Sequence, residues 1–145
     1  MFRLDSRSPE LAGDFRAASE AARRKAASIA SEMAVSATDL ESDDAEQALQ
    51  LLRRGDAVGQ TLVERLRRTA EALDDEYLTL DEEGGQASKW RALEVFWRAR
   101  AASALALAAR GGANDLHESI YEALVAMRDS EELVSALTKA LRVSS

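Results

Sequence analysis

A chain of 145 residues, 46% of them hydrophobic and 31% charged, is long enough for one ordinary hydrophobic core and too short for two, so one domain spanning residues 1–145 is expected. It has no cysteine and one proline, which excludes disulfide scaffolds, thiolate zinc sites, iron–sulfur clusters and cysteine nucleophiles. A formal net charge of -7 argues against a nucleic-acid partner, because phosphate-backbone binding rests on exposed lysine and arginine.

The first seven residues, Met1 to Arg7, mix charged and apolar types and contain no run of signal-peptide length. The longest apolar run, Ala101 to Ala109, falls well short of the roughly 20 residues a spanning helix needs. A cytoplasmic protein with no membrane partner is therefore expected.

Ser8, Pro9 and Glu10 read as a cap, a first-turn proline and an acid facing a helix N-terminus. Leu11, Phe15, Ala18, Ala22, Ala26, Ile29 and Met33 then recur at steps of three and four, which predicts one long helix over 9–36 with a seam of small residues. Asp39, Glu41 and Asp43 imitate the opening of a calcium loop, but Asp44 stands where the turn needs glycine and Gln50 where the closing glutamate belongs. These acids instead suit the start of a short second helix, capped at Ser42, striped by Ala45, Leu49 and Leu52, and stopped after Arg53-Arg54-Gly55.

Asp56 is a cap for a third helix, whose stripe Val58, Leu62, Leu66, Ala70, Leu73 and Tyr77 keeps one face apolar. Beyond it comes the most unusual stretch of the chain, Asp74 to Glu83, with six acids and no base. These acids crowd the negative end of the third helix if it runs on. Alternatively Thr79-Leu80-Asp81-Glu82, which fits a capping box, opens a separate short helix. Gly84-Gly85 breaks the chain, and a fourth helix starting near Ser88 carries Trp90, Leu93, Phe96, Trp97, Ala101, Ala104, Leu105 and Ala108. Its second half is apolar almost all round, which predicts a central position. Asn114 caps a fifth helix with Leu116, Ile120, Leu124 and Met127, and Ser130 opens a sixth with Leu133, Val134, Leu137 and Leu141. The class is all-α, a single-domain bundle or irregular array of about six helices. Leu62, Leu66, Leu93, Trp97, Leu105, Ile120, Leu124 and Leu137 are expected together in one core.

His117 is the only histidine, which rules out two-histidine zinc motifs and di-iron bundles; it reads as a polar first-turn position of the fifth helix. The glycine pairs lack the Gly-Lys-Ser/Thr continuation of a phosphate loop. Glu71 with Asp74 or Asp75 has helical spacing for a carboxylate pair, but solvated surface acids are far commoner. The arginine pairs Arg23-Arg24, Arg53-Arg54 and Arg67-Arg68 each sit beside acids that can balance them. No metal, cofactor or catalytic residue is assigned.

The leading expectation is thus a non-catalytic, acidic helical interaction module of inhibitor, immunity or adaptor type. It would dock a protein partner of basic character through Asp74, Asp75, Glu76, Tyr77, Asp81, Glu82 and Glu83, with homo-oligomerisation left open. The alternative is a small-ligand binder or enzyme with a pocket between helices three and four, lined by Tyr77, Trp90, Phe96 and Trp97, with Arg91, Arg98 or Arg100 as polar anchors.

Overall fold

Serine caps and left-handed stops divide the chain into eight helices among the described residues. The computed structural model describes residues 3–142; Met1 and Phe2, part of the mixed N-terminal stretch, lie outside it. The helices are α1 (Arg3–Arg7), α2 (Pro9–Ala17), α3 (Glu20–Thr38), α4 (Asp43–Arg53), α5 (Gln60–Glu83), α6 (Gln86–Arg110), α7 (Ala113–Ala126) and α8 (Glu131–Arg142), with no strand among the described residues. Ser8, Ser19 and Ser42 each accept a hydrogen bond from a first-turn amide, at 3.4, 3.1 and 3.1 Å, a cap worth about 1 kcal/mol apiece.

The all-α class holds, but eight helices replace the expected six. A short α1 precedes the others, and the single helix expected over 9–36 breaks at Ala18, whose extended backbone lets Ser19 cap α3. Arg23 stitches the break, donating to the carbonyls of Phe15 at 2.8 Å and Arg16 at 2.7 Å. Both carbonyls belong to the last turn of α2, and that of Phe15 also accepts the Ala18 amide at 3.2 Å. The stripe of three- and four-residue steps runs through the interruption, which is why periodicity alone does not register it.

Other boundaries shift by a few residues. Gly59 rather than Asp56 precedes α5, and Gly112 rather than Asn114 precedes α7. The capping box at Thr79 opens no helix. Thr79 Oγ1 donates instead to the Asp75 carbonyl inside α5, at 3.1 Å, so α5 continues to Glu83 and the acids do sit at its negative end. Gly84 and Gly85 then turn the chain with φ of 70° and 84°, conformations that side chains with a Cβ rarely adopt.

Helix α6 touches α3, α4, α5 and α7, and it separates the interior into two apolar clusters. Leu4, Leu11, Phe15, Ala104, Ile120, Leu124 and Leu137 belong to one, shared by α1, α2, α3, α7 and α8. Leu49, Leu62, Leu66, Leu105 and Ala106 form the other, with α4 and α5. The expected single core is thereby corrected: Leu62, Leu66 and Leu105 lie on one side of α6, and Ile120, Leu124 and Leu137 on the other. Trp97 is half-buried and Leu93 is 42% exposed, because neighbouring helices enclose only the second half of α6.

Truncation should separate these positions. Leu124→Ala is expected to cost about 2–5 kcal/mol through the cavity it leaves, whereas Leu93→Ala should cost less than about 1 kcal/mol. Urea unfolding of both variants checks the ordering.

Candidate functional site

At 1.5 Å per residue α5 and α6 are each about 36 Å long, and they pair as an antiparallel hairpin whose two halves have different surroundings. Every buried residue of α5, namely Leu62, Leu66 and Ala70, lies in its first half. In the corresponding distal part of α6 only Ala92 and Val95 are buried before Ala99. The distal half of the hairpin therefore packs mainly on itself, with Tyr77 and Phe96 in contact across it at 5.4 Å between ring centroids.

One arginine fixes this hairpin to the body. Arg100 Nη2 donates to both oxygens of Asp74 at 2.7 and 2.8 Å, and Nη1 donates to both oxygens of Glu122 on α7 at 3.2 and 3.0 Å. The guanidinium also stands over the Phe96 ring at 5.6 Å. Glu122, only 6% exposed in its side chain, accepts a further bond from Arg3 of α1 at 3.2 Å. Burial alone would favour losing the Arg100 proton, but Glu122 and Asp74 outweigh it and hold the pKa above the ordinary guanidinium value. The network spans α1, α5, α6 and α7.

The acids from Asp74 to Glu83 thus divide. Asp74 is half-buried and compensated by Arg100, which corrects the reading of six uncompensated charges. Asp75, Glu76, Asp81, Glu82 and Glu83 are exposed and enter none of the ion pairs among the described residues. Tyr77 is half-buried against Phe96, and Glu71 pairs with Arg67 rather than with a second carboxylate. Among the described residues no group of three or more acids or histidine is arranged to hold a metal ion.

The aromatic set divides as well. Phe96 joins Tyr77 and Arg100, whereas Trp90 and Trp97 both lie beneath Arg128, at 5.3 and 5.1 Å. Trp97 and Arg98 line a cleft of about 430 Å³ with Thr38, Glu94, Met127 and Arg128, where Arg98 Nε donates to the Thr38 carbonyl at 3.1 Å. Arg91 is exposed. The residues expected to share one pocket between the two long helices are therefore distributed over two clusters on different faces of α6.

His117, expected as a polar first-turn position, is buried at 1% exposure. Its ring meets Phe15 of α2 edge-on at 4.9 Å, and its place three residues before Ile120 puts it at the edge of the α7 stripe. Burial pushes its pKa below the usual 6.5, helped by Arg16 and Arg23 and opposed by Glu118. Sequence reasoning also passed over Arg3, Glu122 and Arg128. Glu122 left no signal within α7, being off the Leu116, Ile120, Leu124 stripe; a guanidinium among the alanines of α6 was the one visible hint that a buried acid must face Arg100.

No protein-family model, curated protein or solved structure matches the chain. No helix among the described residues is long and apolar enough to cross a membrane.

Removing one partner of a buried ion pair strands the other. Arg100→Met should therefore cost about 3 kcal/mol in denaturant unfolding, and adding Glu122→Met should cost less than the sum of the single changes. His117 yields a second expectation. The unfolded chain takes up its imidazole proton near pH 6.5 and the folded chain only at lower pH, so stability should fall as the pH drops through 6.5. Urea titrations between about pH 7.5 and 5.5 should show that slope, and His117→Phe should flatten it.

Proposed function

We propose that the protein is a non-catalytic interaction module that docks a basic protein partner through the distal half of the α5–α6 hairpin, as an inhibitor, immunity factor or adaptor does. The observation that carries this reading is the placement of exposed apolar side chains. Leu78, Trp90 and Leu93, at 56%, 53% and 42% exposure, are the large hydrophobic residues left open to solvent among the described residues, and all three lie on that half. Asp75, Leu78 and Glu82 recur at three- and four-residue steps, which aligns an apolar side chain with acids on one exposed stripe of α5. Apolar side chains bordered by charge are the usual composition of a docking surface.

The acids cost stability where they stand. At the negative end of α5 each carboxylate is unfavourable by about 0.3–1 kcal/mol, and like charges on neighbouring turns repel one another. Long-range attraction of a basic partner offsets that cost in function, because complementary charge accelerates encounter and selects among partners. The Arg100 clamp supports the same reading: a surface already held in place loses less conformational entropy on binding.

Asp81→Lys, Glu82→Lys and Glu83→Lys together should leave helicity and melting nearly unchanged, with any shift upward because cations suit that helix end. Association with the partner, recovered by affinity capture on the wild-type protein and timed by stopped flow, should slow most at low salt. A partner whose association rate ignores the triple change would remove the proposal.

A further inference from the structure

We infer that the groove between α3 and α4 receives the acidic ridge of α5 from a second copy of this chain, an inference that rests on the docking role just proposed for that ridge. The fold assembles the groove from segments far apart in sequence. Arg24 and Lys25 of α3 and Arg53 and Arg54 at the end of α4 line a space of about 580 Å³, together with the apolar side chains of Ile29 and Leu52. One arginine of the Arg23-Arg24 pair thus meets the Arg53-Arg54 pair, while Arg23 turns to the carbonyls of Phe15 and Arg16. Glu32 is the sole acid in the lining, and it is engaged by Arg53. Arg24 bonds Glu20 at 2.9 Å, while Lys25 and Arg54 enter none of the ion pairs among the described residues. A protein of net charge -7 therefore concentrates positive charge around an apolar-lined groove.

The ridge is its counterpart. Asp75, Leu78 and Glu82 put an exposed apolar side chain between two carboxylates, and Asp81 and Glu83 add charge beside them. Ridge against ridge, or groove against groove, would place like charges face to face, so a two-fold contact through either surface alone is disfavoured. Ridge into groove pairs opposite signs around an apolar centre. Because the two surfaces belong to different parts of the molecule, the contact is heterologous, and a bound pair still offers an open groove on one copy and an open ridge on the other.

Sedimentation of the full chain tests this. At low ionic strength the wild-type mass should rise with concentration, and it should return to that of the monomer in about 0.5 M salt, where charges are screened within a few ångströms. Two variants separate this contact from any other, both checked for unchanged helicity. D81K/E82K/E83K carries a basic ridge beside its basic groove, and K25E/R54E an acidic groove beside its acidic ridge, so each alone should stay monomeric. Mixed in equal amounts they should associate again, since opposite signs are restored. Self-association of either variant at wild-type strength, or failure of the mixture to associate, would overturn the inference. A wild-type chain that stays monomeric while capturing a basic protein through Asp81, Glu82 and Glu83 would also overturn it, and would leave the proposed function standing.

Discussion

Close approach to α6 is the constraint on which the rest of the structure depends. Ala92, Ala99, Ala101, Ala102, Ala104, Ala106 and Ala108 are all buried on this one helix, and they are distributed around it rather than along one stripe. Alanine adds almost no thickness, so neighbours can reach the lower end of the usual 8–10 Å interaxial range on several sides at once. α3, α4, α5 and α7 all contact this helix. Small residues on α3 continue the pattern, with Ala26, Ala27, Ala30 and Ala34 buried. Polar atoms in so tight an interior must be satisfied locally. Ser119 donates to the Ala104 carbonyl at 2.7 Å and Ser31 to the Ala27 carbonyl at 2.8 Å, each consuming a backbone acceptor close at hand.

The enclosure of α6 ends where its alanines give way to large side chains. Trp90, Leu93 and Trp97 continue the line of Ala101, Ala104 and Ala108 at helical spacing, yet α3 and α7 do not extend far enough to cover them. Arg128, from the link between α7 and α8, covers part of this surface by lying over both indoles. What keeps the projecting half in a fixed direction is the Arg100 network at its root, where charges from four helices neutralise one another. Such a buried network is a device of orientation more than of net stability, because desolvating its members offsets much of their mutual attraction.

A projecting hairpin held at its root and left partly bare along its length is a reasonable construction for recognition. Most of the buried apolar side chains lie in the body, while the distal half carries exposed acids together with the exposed Leu78, Trp90 and Leu93.

Much of this architecture was legible in the chain itself. Serine caps, glycine stops and three- and four-residue apolar steps dictated an all-α protein and most helix positions, because capping and amphipathic burial are local consequences of residue order. The near-continuous apolar second half of α6 likewise announced a central helix, and the acids of residues 74–83 marked an unusual surface. Tertiary structure decided what depends on contacts between distant segments. It broke the long first helix at Ala18, where Arg23 supplies donors to the end of α2, and it extended α5 through Thr79, where a threonine that could have capped a new helix bonds within the old one. It also buried Glu122 on a face of α7 that the apolar stripe does not mark, where Arg3 of α1 and Arg100 of α6 meet it, and His117 at the edge of the stripe, against Phe15 of α2. The pairing of Arg100 with Asp74 and Glu122, and the meeting of Arg24 and Lys25 with Arg53 and Arg54, have the same origin: periodicity states which side of a helix is apolar, but only packing determines which charge lies opposite another.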